Sequence, residues 1–283
     1  MTEPIPPLRA PRDVDLERPS AARMYDFFLG GETNWAVDRA AGEKAIELLP
    51  WVRDMARANR AFLRRAVHYC LAEGIEQFVD IGSGIPTVGN VHEVANGLNP
   101  RSKVVYVDNE PVAIAHGRVQ LEQNGDPDRH AMVQADLRDP DHLWQQVLDT
   151  GILDPARPTA LLAVAVLHFI PDTDRPQPAL AEYRERLAPG SALVLSHGTL
   201  DKVTPDQQDS LDAYTRHYAT TQNPLIWRSQ AEFAEFAGEF ELVEPGITWV
   251  PDWRPDPAIA PELRTSLADP AQSLIYAAVA RKA

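Results

Sequence analysis

The chain has 283 residues, 44% apolar and 24% charged, the make-up of one large globular domain or of a domain with an appended subdomain. Its 27 Lys and Arg face 41 Asp and Glu, a net charge of −14, and the lysines are only Lys44, Lys103, Lys202 and Lys282. That balance argues against a cation-lined, phosphate-tracking surface, so no nucleic-acid partner is expected.

Cys70 is the single cysteine, which rules out an intramolecular disulfide and suits a reducing compartment. Its helical spacing with Val67 and Leu71 marks a buried structural thiol. The opening Met-Thr-Glu-Pro-Ile-Pro-Pro lacks the basic and apolar regions of a signal peptide. The longest apolar run, 160–170, contains His168 and is too short to cross a bilayer. The expectation is a cytoplasmic protein without membrane association.

In chain order, residues 1–19 carry Pro4, Pro6, Pro7, Pro11 and Pro19 among charges and read as a flexible tail. Residues 20–74 read as a helical cap. Ser20 is placed to begin a first helix, Met24, Phe27 and Phe28 share a face, and Gly30-Gly31 ends it. Further helices are expected over 37–49 and 51–72. From residue 75 to 283 the texture is that of an α/β domain. Strands are expected at 77–81, 104–107, 131–134, 160–166 and 192–196, separated by helices near 88–97, 111–123, 139–149 and 175–187. This alternation predicts a mostly parallel, doubly wound sheet. Beyond residue 198 come helices near 205–219 and 229–238, then strands over 239–250 and 273–280. The proline-rich stretch 251–272 interrupts that terminal hairpin. No sequence repeat is found.

The richest motif is Phe78-Val79-Asp80-Ile81-Gly82-Ser83-Gly84, a strand that runs into a glycine turn with a carboxylate two residues before the first glycine. In such sheets ligands bind beyond the carboxyl ends of the strands. The second strand delivers Asp108, followed by Asn109, to receive two ribose hydroxyls. The third delivers Asp136 and Leu137, suited to an exocyclic amine and a ring nitrogen. A dinucleotide would need a third glycine at position 87, where the chain has Thr87, and Asp80 would repel its diphosphate. The residues favour a ligand with an ammonium group and no pyrophosphate, namely S-adenosyl-L-methionine. The Cys and His positions have no metal-ligand spacing.

Asp80-x-Gly82-x-Gly84, Asp108 and Asp136, in that order, resemble the cofactor motifs of class I S-adenosylmethionine-dependent methyltransferases. Val166-Leu167-His168-Phe169-Ile170-Pro171-Asp172 is similar to the segment after their fourth strand. The likeness is closer still to an actinobacterial S-adenosyl methyltransferase family. Its N-terminal element stands here as Pro19-Ser20-Ala21-Ala22-Arg23-Met24-Tyr25-Asp26-Phe27-Phe28-Leu29-Gly30-Gly31, with Asn34 and Asp38-Arg39 following. The resemblance covers residue 18 to the C-terminus. It implies a Rossmann-like seven-stranded sheet, ordered 3-2-1-4-5-7-6 with the last strand antiparallel, beneath an N-terminal helical lid.

The resemblance also implies roles. Asp80, Gly82, Ser83 and Gly84 would meet the methionyl end, where the Thr87 hydroxyl would replace the missing glycine as a donor. Asp108 and Asn109 would hold the ribose, Asp136 and Leu137 the adenine, and Ala163 and Val164 would line the cofactor. From the residues themselves, Arg23 and Asp26 at i, i+3 and the polar Glu32-Thr33-Asn34 turn suggest a lid over the cofactor's methionine end, with Arg23, Tyr25 and Asn34 as its cofactor contacts; a short amphipathic helix packed on the core is the alternative. His168 and His197, after the fourth and fifth strands, are candidate general bases, though methyl transfer does not oblige one. Trp249, Trp253 and Arg254 are candidates for the acceptor pocket, and a surface loop with one buried Trp accounts for them equally well. The implied activity is methyl transfer to an oxygen or nitrogen of a small-molecule acceptor. The alternative is a cofactor-binding regulatory protein without turnover. The sequence leaves the oligomeric state open.

Overall fold

A computed structural model describes residues 15–86, 89–257 and 266–283. Three helices come first: α1 (Ala21–Leu29), α2 (Ala36–Leu48) and α3 (Val52–Ala72). Helix α1 stops because Gly30 turns left-handed at φ +85°, which favours glycine. Helix α3 buries the stripe Val52, Met55, Ala56, Asn59, Phe62, Leu63, Ala66, Val67 and Cys70, the spacing of one helical face. Cys70 is fully buried, and burial pushes its thiol up to about 12.

The sheet then builds through β1 (Gln77–Ile81), α4 (Val91–Asn96), β2 (Lys103–Asp108), α5 (Pro111–Asn124) and β3 (His130–Gln134). It continues through α6 (Pro140–Asp149), β4 (Thr159–Val164), α7 (Pro176–Arg186) and β5 (Ala192–Gly198). Helices α8 (Pro205–Tyr218) and α9 (Gln230–Ala234) lead to β6 (Glu241–Leu242), β7 (Thr248–Trp249) and β8 (Ile275–Arg281). The order is β3-β2-β1-β4-β5-β8-β6, and β7 also pairs with β8. Strands β1 to β5 pair in parallel, while β8 runs antiparallel to β5, β6 and β7.

This is the expected Rossmann-like sheet with an antiparallel last strand. One strand differs: 239–250 is split into β6 and β7 around Pro245 and Gly246. Proline offers no N–H to a ladder, and Gly246 turns at φ +80°. Residues 15–19 also differ from a loose tail. Arg23 and Gln222 bind the carbonyl oxygens of Asp15 and Arg18, and the Gln222 N–H donates to the Pro19 carbonyl.

Strand alternation sorts the core into two layers. Phe78, Val104, Tyr106, Ala160, Leu162, Val194 and Val279 share one layer with α1, α2, α3, α5 and α8. Val79, Ile81, Val105, Val107, Leu161, Leu193 and Leu195 share the other with α6, α7 and α9. Asp80 has the parity of Phe78 and stands opposite Tyr106 and Leu162. It therefore points toward the N-terminal helices. Among the described residues, no helix is long and apolar enough to cross a membrane.

Candidate active site

The carboxyl ends of β1, β2, β4 and β5 open into a cavity of about 620 Å³ roofed by α1, α3 and the segment after α8, within the usual range for a small-molecule site. Gly82 and Gly84 both have positive φ, +68° and +65°. The N–H groups of Gly82 and Ser83 donate to the Val107 carbonyl at 2.8 and 3.1 Å, so the loop is stitched to β2. A Cβ on Gly82 would lie 2.3 Å from Val166 Cγ2, and glycine is therefore needed for close approach.

Across the cavity Ala165 takes φ +57°, a left-handed conformation uncommon for alanine. A polar relay holds this turn. The Ala165 N–H donates to Ser196 Oγ, which donates to Asn59 Oδ1, while Asn59 Nδ2 donates to Tyr25 Oη and Tyr25 donates to the Ala56 carbonyl. The relay ties β4 and β5 to α1 and α3. Asn59 was not singled out by its sequence, although it is a polar residue on an otherwise apolar helical stripe.

Asp80 lies on the cavity wall and is 5% exposed. Burial pushes its carboxyl up to about 7, against the opposing pull of the Arg60 guanidinium, and Asp108 adds to the rise. Arg60, on α3, also lines the cavity. The buried Ser83 Oγ, on the same wall, has no hydrogen-bond partner among the described residues. A carboxyl, a guanidinium and an orphaned hydroxyl side by side suit an amino-acid zwitterion. Sequence reasoning missed Arg60 because α3 also carries Arg53, Arg57, Arg64 and Arg65. Its signal was its place beside Asn59, at the edge of the buried stripe.

Asp108 is 7% exposed and lines the cavity with Asn109. Burial pushes its carboxyl up, and backbone N–H donors hold it back. Its Oδ2 accepts from the Gly84 N–H at 2.7 Å and Oδ1 from the Glu110 N–H at 2.8 Å. Asp108 thus both shapes the glycine loop and presents oxygen to the cavity. Asp108→Ala is expected to weaken cofactor binding by about 1–3 kcal/mol, read by calorimetry; unchanged affinity would reduce Asp108 to a loop cap.

The third strand places Ala135, Leu137 and Arg138 on the wall, and Val164 follows from β4. Asp136 is turned aside. Its carboxylate accepts from Arg138 Nε, Nη2 and backbone N–H, and Arg138 Nη1 pairs with Asp174 at 2.7 Å. Burial pushes Asp136 up, but the Arg138 bonds prevail and hold it below the ordinary carboxylate range. Ala163 is buried in the opposite core layer, leaving Val164 to face the cavity. Thr87 lies outside the described residues.

Two lid expectations are corrected. Arg23 does not face the cavity. It is fully buried, with Nε on Asp38 at 2.8 Å, Nη1 on Glu110 at 2.9 Å and Nη2 on the carbonyls of Asp15 and Arg18. All three of its nitrogens donate within the fold, so it fastens α1 to α2 and to the start of α5. Asn34 donates to Asp26 Oδ2 and the Gly31 carbonyl, which holds the turn after α1. From this element Ser20, Ala21, Ala22, Tyr25 and Phe28 line the cavity. Trp253 also lies elsewhere, fully buried against Phe62 and Tyr69.

Neither histidine is placed as a general base. His197 is fully buried, its Nε2 accepts from Arg228 Nη1 at 2.8 Å, and its Nδ1 donates to the Gly198 carbonyl. Burial and Arg228 hold it down at about 3. His168 does line the cavity, but its Nδ1 accepts the Gly198 N–H at 3.2 Å. In the neutral ring that bond puts the proton on Nε2. Burial, His197 and Arg228 hold His168 well below its usual range, so the ring stays neutral and donates.

The fold and the ligand-facing end of its sheet define a class I, Rossmann-like cofactor-binding protein. The family model described as S-adenosyl methyltransferase matches residues 7–283, and the chain belongs to that family, whose cofactor is S-adenosylmethionine. A solved DUF574 family protein from Streptomyces avermitilis is 36% identical, with TM-score 0.85 over 94% of this chain and 98% of that one. A candidate methyltransferase from Thermobifida fusca is 35% identical, with TM-score 0.83 over 95% and 96%. A 37.1 kDa protein of a Streptomyces fradiae transposon is 29% identical over 189 residues, 65% of this chain and 48% of that protein. The match therefore spans about half of that curated relative.

Proposed function

We propose that the protein is an S-adenosylmethionine-dependent methyltransferase acting on an oxygen or nitrogen of a small-molecule acceptor. The observation that carries this reading is the cluster of Asp80, Arg60 and unpartnered Ser83 Oγ on one wall. Asp80 would receive the methionyl ammonium, Arg60 the carboxylate, and Ser83 and the glycine loop the adjoining polar atoms. Asp108 and Asn109 would hold the ribose. Leu137, with Arg138 and Val164 near it, would enclose the base.

The sulfonium supplies an activated methyl carbon whose leaving group is a neutral sulfide. The chain then has to orient the acceptor and exclude water. Tyr25 and Phe28 close the cavity from α1, and the relay through Asn59 and Ser196 fixes the Ala165 turn. The test is transfer of labelled methyl from S-adenosylmethionine to hydroxylated and aminated small molecules, with Arg60→Leu as a control. Transfer is expected to drop at least about tenfold in Arg60→Leu, the scale of a lost charged hydrogen bond. Full cofactor occupancy with no methyl transferred across the panel would overturn the reading in favour of a ligand sensor.

A further inference from the structure

The cavity has two chemically different halves. The charged groups, Asp80, Asp108, Glu110, Arg60, Arg138 and Asp174, come from the ends of β1 to β4 and from α3. The other half, beneath α1 and α8, is aromatic and uncharged. Phe169 stacks on Tyr218 with ring centres 6.3 Å apart at 20°. Tyr214 packs on Tyr218 at 5.0 Å, and Trp227 covers the end of the half-chamber with its Nε1 already bound to Thr215 Oγ1.

Among the described residues, this half contains no group able to take a proton near neutral pH. Its titratable residues are Tyr25, His168, Tyr214 and Tyr218. Burial raises all three tyrosines, and they remain neutral. The Gly198 N–H occupies His168 Nδ1, so Nε2 carries hydrogen and donates. Behind His168 lies the buried Arg228 guanidinium, bonded to His197 and to the carbonyls of Leu167 and Ile170. Its positive charge is balanced from the surface by Asp172. The half-chamber thus offers stacking surface, the neutral N–H of His168 and a cation behind that donor.

We propose that the acceptor is a phenol, bound as its phenolate with the oxygen on His168 Nε2–H and the ring against Phe169 and Tyr218. This rests on the cofactor reading above. The phenolic proton leaves to solvent on binding. An oxygen lone pair forms the O–CH3 bond as the S–CH3 bond breaks, and that bond's electron pair returns to sulfur. An aliphatic amine, protonated at neutral pH, would arrive without a lone pair and find no base to free one. His168 holds the nucleophile and transfers no proton.

The test uses 4-nitrophenol, whose anion is coloured, and 4-nitroaniline as its nitrogen analogue, with the protein saturated in S-adenosylhomocysteine. Bound 4-nitrophenol is expected to ionise at lower pH than free 4-nitrophenol, and 4-nitroaniline to bind at least about tenfold more weakly. His168→Ala should abolish the downward shift, and His168→Gln, which keeps an N–H donor, should restore part of it. With S-adenosylmethionine, the pH profile of kcat/KM should move with the acceptor's own acidity when 4-cyanophenol replaces 4-nitrophenol. No shift, no binding of 4-nitrophenol, equal binding of the aniline, or a profile fixed whatever the phenol would each overturn the proposal. Titration of S-adenosylhomocysteine alone separates these from a failure of the cofactor site.

Discussion

Arg23→Ala is expected to lower unfolding stability by about 3–5 kcal/mol, the scale for breaking a buried ion pair by removing one partner. The side chain is fully buried and meets two carboxylates and two carbonyl oxygens. Its loss leaves Asp38, itself fully buried, and Glu110 without their cation. Burial already pushes Glu110 up, with Arg23 the chief opposing influence. Arg23→Lys should rescue little, because one ammonium cannot meet four acceptors in the guanidinium's planar arrangement. Urea denaturation reads the effect. A variant of native stability whose only defect is cofactor affinity would contradict the staple and return Arg23 to the binding site.

Asp80→Asn is expected to move affinity and stability in opposite directions. At pH 8 the wild-type carboxyl is ionised and available to an ammonium, so the variant should bind S-adenosylmethionine about 10–100-fold more weakly. Below about 7, where Asp80 titrates, docking the ammonium must expel a proton. Wild-type affinity should then fall by about tenfold per pH unit, and the variant should lose that slope. For folding the sign is reversed. The folded pKa is raised, so the folded chain holds the proton more tightly than the unfolded one. Asp80's contribution to stability therefore declines as pH rises from the ordinary carboxylate range to about 7. Asparagine removes that penalty, and the ligand-free variant should melt higher than wild type at pH 8. Equal affinity with an unchanged pH slope would show that the carboxyl does not face the ligand.

The layout was legible where one local rule decided it. Short, near-continuous apolar runs marked β1 and β2 as strands buried on both faces, and Asp80 and Asp108 fall at their ligand-facing ends because a strand ending in a turn must place its last side chains there. Pro111, Pro140, Pro176 and Pro205 each begin a helix, as a residue without an N–H favours. Long-range partners were not legible. Arg23 and Glu110 lie 87 residues apart, and nothing local says that this arginine is consumed by the fold. Its spacing with Asp26 and the polar turn that follows suggested a lid, whereas its partners make it a fastening. His168 shows the same limit at the scale of one proton: its position after β4 was readable, but its tautomer is set by a backbone N–H 30 residues away. Asp136 fell in the expected place with its carboxylate claimed by Arg138, two residues on. The split of 239–250 was signalled by Pro245-Gly246 and outweighed by the apolar residues around it.

The account stands on a cavity built for an adenosyl sulfonium amino acid, and calorimetric titration of the full chain with S-adenosylmethionine, S-adenosylhomocysteine and NAD tests it most directly. The expected result is one-to-one binding of both sulfur ligands, weakened together by Asp80→Asn and Arg60→Leu, with NAD far weaker. NAD binding tighter than either sulfur ligand, or sulfur-ligand affinity untouched by both substitutions, would contradict it.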